Sequence, residues 1–472
     1  MSRDERTVRG FTRRIEAFAN RVAGKKLFSG EGLQSYIDLQ ENLFNLQMEV
    51  QRAIGEVKQR GKKDSDTLSH LEQLRRLRWL TRRLGDSIAW GALLYNRQVI
   101  YALNKNAPIP VPSSWSDGHR GAFQFAKAMT NPEWGIPIVH DITNMLRVGD
   151  VTFMRPMVPV SDTVYRTIEL KTTRVGASID ENGATTLNLN VTAIANEPFP
   201  ADFPPDQKQP AAPLEMIQKR RPDRRIERQM ARMNIATASK NARLNEITKI
   251  GDQHVFSFQL PKEQEPHWKE LRRAIRSARK DGFAYFELGG FVGYSVLYNT
   301  DGVTLDDITA SPIPEHVTRL THEEIGSRNS ITISAFPDEA DDSFSSLVLP
   351  FYLWEVPQRA IRDILRHRLM IWATYNSGWM EKLLEDAGMI INAEDVPGKD
   401  SRDFEVVAPL LWDNGHGDYH TGAPWEEMYI AVHEFRGPKA VVQRVTAASS
   451  FPEYATIDHI LATGPGTPLE AS

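Results

Sequence analysis

Near residue 134 the chain changes its hydrophobic period, and that change sets what each part can fold into. Before it, apolar side chains recur every three or four positions. Leu43, Leu46, Val50, Ile54 and Val57 mark a helix from Gly32 to about Lys58 that buries one stripe. GKKDSD (61–66) breaks it, and a second helix is expected from Asp66 to Asn104, with Leu77, Leu80, Leu84 and Ile88 on one face and Trp79, Asp86, Trp90 and Leu93 near the other. The prolines of APIPVPSS lack an amide donor and end that helix. With short helices before and after, the first hundred residues read as an antiparallel helical hairpin.

Beyond Trp134 the period shortens to two. DVTFMR (150–155), TVYRTIELKTT (163–173) and ATTLNLNVTAIA (184–195) are rich in β-branched and aromatic residues and read as strands, the first two joined by PMVPVSD. A proline cluster from Pro198 to Pro213 reads as a loop or linker, and residues 215–244 as a basic helix interrupted at Pro222. Past Asp252 the expected strands are HVFSFQL, FAYFELGGFVGYSVLY, ITISAF, FEVVAPLLW and MYIAVHEF. A helix is expected over 357–388, which makes this part α+β. The final GPGTPLEAS reads as a frayed tail.

Composition removes several chemistries. In 472 residues there is no cysteine, hence no disulfide framework, thiol nucleophile, cysteine-ligated zinc or iron–sulfur cluster. Any metal must be held by oxygen or imidazole. No GxxxxGK[ST] loop, no GxGxxG after a strand and no GxSxG elbow is present. No apolar stretch reaches the roughly 18 residues of a membrane-spanning helix, and the polar, arginine-rich N-terminus lacks the apolar core of a secretory signal, so a cytoplasmic location is expected.

The net charge of −4 is unevenly spread. Residues 1–130 carry +9, residues 131–204 −4, residues 205–250 +6 and residues 251–472 −15. Basic segments that bracket a small acidic centre suit a protein acting on phosphodiesters, since cations hold the backbone while carboxylates hold a metal. A solvated helix face gives the same charge pattern.

The acidic centre lies in LRVGDVTFMRPMVPVSDTVYRTIELKTTR. If TVYRTIELKTT is a strand, alternation places Tyr165, Thr167, Glu169, Lys171 and Thr173 on one face. Asp150 follows Gly149 at the head of the preceding strand, and a hairpin can bring its carboxylate beside Glu169. Two carboxylates with the main-chain carbonyl of Leu170 make an oxygen site of the kind Mg²⁺ or Mn²⁺ accepts.

In these residues the chain resembles the PD-(D/E)XK nuclease superfamily, whose signature is an aspartate opening one strand and a Glu/Asp-x-Lys on the next. The matching residues are Asp150 and Glu169-Leu170-Lys171, and the resemblance covers roughly residues 75–235. It implies an α/β restriction-endonuclease-like core, a mixed sheet flanked by helices. By resemblance, Asp150 and Glu169 bind the metal and Lys171 orients the attacking water or stabilises developing charge. The family often adds an acid on the first core helix and a glutamine on the helix after the motif strand, and Asp86 and Gln229 are the candidates. The implied organisation is a helical region 1–70, a nuclease core 71–250 and an acidic α+β domain 251–472. The implied activity is metal-dependent cleavage of DNA, less so RNA, in defence or processing, with a protein partner or second copy on the acidic half.

Other readings stay open at this point. Glu56-Val57-Lys58 spells the same triplet, but in a helical pattern where residues two apart point away from each other, and Glu169 and Lys171 can also be an exposed same-face ion pair on an edge strand. Asp86 can pair with Arg82 and Arg83 along its helix, and Gln229 can lie on a helix surface. The arginines around 75–83 and 220–232 are candidates for phosphate contacts. His416 and His420 stand four apart, but the glycines around them argue for a loop, and the acidic run 337–344 lacks the pattern of a calcium loop. A non-catalytic scaffold or nucleic-acid-binding subunit is the alternative function.

Overall fold

The computed structural model describes residues 3–23, 33–61, 64–104, 112–130, 134–155, 163–179, 185–195, 247–250, 253–256, 265–290, 292–298, 331–336, 348–386, 390–395, 404–412, 415–421 and 424–442. The chain divides into two compact units, Met1–Asn241 and Ala242–Ser472. That division lies nine residues before the expected boundary at 250/251, and the other expected boundary, at 70/71, falls inside a helix.

In the first unit α1 (Arg3–Ala23) pairs with α2 (Leu33–Gln59) through Arg14 with Glu49 and Arg60 with Asp4, which sets the two helices antiparallel. α2 buries Leu43, Leu46, Val50, Ile54 and Val57, as the period predicts. α3 (Ser65–Ala92) starts where Asp64 accepts the Thr67 amide. It does not run on to Asn104. Leu94 and Tyr95 adopt φ of 54° and 60°, and Asn96 then accepts the Val99 amide at 3.1 Å to start a separate helix, α4 (Arg97–Leu103). From Trp79 to Ala92 every residue of α3 is buried, so this half of the helix has no solvent face. α5 (Asp117–Ala128) opens on a capping box made by Ser116 and His119.

Four strands follow: β1 (Ile136–Val139), β2 (Val151–Arg155), β3 (Val164–Ile179) and β4 (Thr185–Ala195). They form one sheet in the order β1-β2-β3-β4, with every pairing antiparallel, where the resemblance implies a mixed sheet. Val151 stands opposite both Val139 and Ile168. Phe153, opposite Arg166, packs edge-on against Phe125 of α5 and Trp134, and Arg174 reaches Asp117 at the start of α5 at 2.7 Å. β1 is the sequence IPIV, whose proline hides it from a strand reading. Proline is tolerated there because β1 is an edge. Gln40 of α2 completes that edge: its Nε2 donates to Pro137 O at 2.8 Å and its Oε1 accepts the Val139 amide at 2.9 Å.

The second unit has a β5–β6 hairpin (Ile247–Ile250, Gln253–Phe256), then α6 (Trp268–Asp281), β7 (Phe283–Leu288) and β8 (Val292–Tyr298). β9 (Ile331–Phe336), α7 (Gln358–Leu365), β10 (Leu369–Asn376) and α8 (Ser377–Asp386) come next. β11 (Ile390–Asp395), β12 (Phe404–Trp412), β13 (Gly415–Thr421) and α9 (Pro424–His433) complete it. One antiparallel sheet runs β7-β8-β10-β9 and another β11-β12-β13. Trp268, Trp354, Tyr294 and Phe435 meet in its core.

Three sequence expectations fail in this unit. The helix over 357–388 is a helix, a strand and a helix: His367 at φ 54° stops α7, and the β-branched and aromatic run LMIWATYN joins the sheet as β10. MYIAVHEF is not a strand but lies largely in α9, and its residues Met428 to Val432 are all buried, so no period distinguishes the two forms. His416 and His420 fall in β13, not in a loop. The basic segment 215–244, with Gln229, and the acidic run 337–344 lie outside the described residues. Among the described residues no helix is long and apolar enough to cross a membrane.

Candidate functional site

The buried half of α3 carries polar groups aimed at the segment that connects β1 to β2. Gly85 lets the chain come close, since a Cβ there would overlap the carbonyl of Ile142. The Arg82 guanidinium donates to the carbonyls of Asp141 and Thr143 and to Asn144 Oδ1, the last at 3.0 Å. Burial and the neighbouring Arg147 pull its pKa down to about 10, against the opposing pull of Asp86 and Asp141. Asp86 Oδ1 accepts the amides of Asn144 (2.6 Å) and Met145 (3.2 Å), and Arg83 reaches Oδ2 at 3.2 Å. Gln47 of α2 donates to the carbonyls of Thr81 and Ile142.

These contacts correct two sequence expectations. Arg82 and Arg83, exposed by only 2% and 5%, are inside the protein and cannot serve as phosphate contacts on its surface. Asp86 makes the contacts of a buried structural cap, and of the two arginines offered to it only Arg83 forms the ion pair, at i,i+3.

His140 links this clamp to the site. Its amide donates to the Asp150 carbonyl at 2.9 Å, its Nδ1 lies 3.0 Å from Gly149 O, and its Nε2 lies 2.8 Å from Thr152 Oγ1. Burial lowers its pKa to about 3, so the ring is neutral at physiological pH. With Nδ1 donating to a carbonyl, Nε2 accepts from Thr152, and Thr152 in turn accepts from Thr167 at 2.9 Å. Gly149 takes φ 76°, and a Cβ on it would stand 2.7 Å from Thr167 Cγ2.

The ladder is irregular at Asp150. Its carbonyl accepts from His140 on the β1 side, while its amide donates to Ile168 O of β3 at 2.8 Å. A regular strand residue points both groups to one edge. Its carboxylate swings over β3, where Oδ2 accepts the Leu170 amide at 2.6 Å. Because Leu170 sits in a regular part of β3, its carbonyl points to the same edge as its amide, toward Asp150. Glu169 and Lys171 share the other register of β3. Lys171 Nζ lies 2.9 Å from Glu169 Oε1, with the Lys171 side chain one-third exposed and Glu169 buried.

The structure thus brings Asp150, Glu169, Leu170 and Lys171 to one place. Burial, reinforced by the Glu169 carboxylate and by Asp141, pushes Asp150 up to about 7, while the Leu170 amide and Lys171 pull the other way. Glu169 thus raises the proton affinity of Asp150, and a cation at the pair would offset that repulsion. Among the described residues no three His, Asp or Glu side chains stand as a ready ligand set. The pair nevertheless fits Mg²⁺ or Mn²⁺: Mg²⁺ characteristically takes one or two carboxylates, and water and substrate phosphate oxygens fill the remaining positions. Asp150 Oδ1 has no hydrogen-bond partner among the described residues, and the Leu170 carbonyl faces the same edge.

Sequence reading misses Asp141 and His119. Asp141 follows His140 in the turn after β1, and its proton affinity is raised by burial and by Glu169, against His119, Arg82 and Arg147. His119 Nε2 of α5 lies 3.8 Å from Asp141 Oδ2. Only the fold joins them to Glu169. No protein family model, curated protein or solved structure gives a significant match to this chain.

Proposed function

We propose that this chain is a divalent-metal-dependent phosphodiesterase that cleaves nucleic acid, DNA in preference to RNA, in a cytoplasmic defence or processing role. The observation that carries the reading is the meeting of Asp150 and Glu169, where Glu169 raises the cost of ionising Asp150, with Lys171 in contact with Glu169. Asp150, Glu169 and the Leu170 carbonyl would hold Mg²⁺ or Mn²⁺. Such an ion would supply Lewis-acid chemistry, making water a better nucleophile and neutralising charge on the scissile phosphate. Lys171, a compact ammonium at the partly exposed rim, holds a phosphate oxygen or the attacking water and offsets charge as it develops. His140 and the Arg82 clamp keep Asp150 and its turn in place.

The test is cleavage of plasmid, single-stranded DNA and RNA by purified protein with Mg²⁺ or Mn²⁺. Asp150→Ala, Glu169→Ala and Lys171→Ala should each abolish it without unfolding the protein. A wild type that cuts none of these substrates with either ion removes the reading.

A second reading is favoured by one observation, the contrast between the basic segments and the strongly acidic residues 251–472. A nuclease-like scaffold without catalysis would bind nucleic acid through its basic segments and a protein through the half that carries −15. It predicts binding that weakens steeply with salt and no cleavage.

A further inference from the structure

Asp141 is the acid of this region that the function above leaves without a task. Its position is well determined: its carbonyl accepts from Arg82, and the next residues are held by Gln47 and Asp86. Its carboxylate is three-quarters buried and stands beside His119, whose ring is oriented from behind. The Ser116 amide donates to His119 Nδ1 at 3.2 Å, so the neutral ring carries its proton on Nε2, toward Asp141. The carboxylate sits where Glu169 repels it, and it repels Asp150 in turn. His119, Arg82 and Arg147 favour its charge, while burial and Glu169 oppose it more strongly.

We propose that Asp141, steadied by His119, is a positioning residue for the cation, holding a metal-bound water and not the metal itself. This rests on the metal-dependent reading above. It accounts for both facts about Asp141: the acid follows His140, whose amide holds the Asp150 carbonyl at 2.9 Å, yet no three acids form a direct ligand set among the described residues. Hydrated Mg²⁺ keeps several of its waters, and a carboxylate that accepts from one of them fixes the ion's orientation.

The experiment is calorimetric titration of the full chain with MnCl₂, alongside thermal melting without metal, for wild type, Asp141→Asn, Asp141→Glu, His119→Ala and Asp150→Asn. Asp141→Asn should bind Mn²⁺ on the order of tenfold more weakly, the usual effect of losing an outer partner, while its metal-free melting temperature stays level or rises. His119→Ala should weaken binding in the same direction but less. Asp141→Glu keeps the charge and displaces the oxygens, and it should not restore affinity. Unchanged affinity in Asp141→Asn, full affinity in Asp141→Glu, or a lowered metal-free melting temperature in Asp141→Asn each overturns the proposal. If Asp150→Asn loses binding while Asp141→Asn does not, the metal site stands and only this inference falls. A wild type that binds no Mn²⁺ overturns both.

Discussion

The Leu170 amide donates to Asp150 Oδ2 across 2.6 Å, so the main chain of β3 fixes the first carboxylate beside the second. The bond favours the ionised acid, yet burial and Glu169 outweigh it and leave Asp150 at about 7. Folding therefore makes Asp150 harder to ionise than an exposed aspartate.

Asp150 titrates from an ordinary 3.8 to about 7 on folding. Below pH 4 both states hold the proton. Between about 4 and 7 the folded chain keeps a proton the unfolded chain has released, so the stability this group contributes declines as pH rises, by up to about 4 kcal/mol, and is gone above 7. Metal-free wild type should therefore lose melting temperature over that window relative to Asp150→Asn, which should be flat for this contribution. Mn²⁺ affinity should rise through pH 7, because the ligand must shed its proton. A wild type that gains stability relative to Asp150→Asn between pH 5 and 7 would contradict this.

Lys171 contributes charge at the rim and little to the core. Lys171→Met should lower cleavage by roughly 10²–10³-fold with the fold intact by circular dichroism. Lys171→Arg should not restore it, because a planar guanidinium does not place charge where a compact ammonium does. Full activity in either variant would remove Lys171 from the chemistry.

Gly85→Ala should carry the opposite sign from most helical Gly→Ala changes, which gain up to about 1 kcal/mol. Here the new Cβ meets the Ile142 carbonyl, backbone that cannot rotate aside. The expected loss is about 3 kcal/mol by urea unfolding, with weakened metal binding as residues 141–145 shift.

Arg82→Gln removes donors from the carbonyls of Asp141 and Thr143 and from Asn144. Buried acceptors left without a charged donor cost about 3 kcal/mol or more together. Arg82→Lys should restore only part of this, since one ammonium cannot span three acceptors. An unchanged urea midpoint in Arg82→Gln would show that the clamp is not holding the turn.

The legible parts of the molecule were those with a local signal. The stripe of α2 and the alternation of β3 are written in residues a few positions apart, and so are Glu169 and Lys171 on one face. The edge strand β1 was hidden by Pro137, and α3 concealed its break because nothing in LLYN forbids a helix while its left-handed turn at Leu94 and Tyr95 is set by packing. Asp86 could be placed on a helix, but its engagement with Asn144 and Met145 depends on residues 58 and 59 positions away. Asp141 and His119 lie 22 positions apart and share no motif, and they meet only because α5 lies against the sheet.

Gln40 has a consequence for self-association. An open strand edge is a template onto which another chain can add its own backbone. At β1 the acceptor of Pro137 and the donor of Val139 are already taken by a side-chain amide from the same unit. A second copy cannot extend this sheet through β1 without evicting Gln40. Gln40→Leu would reopen that seam and turn a finished border into a site for unwanted polymerisation.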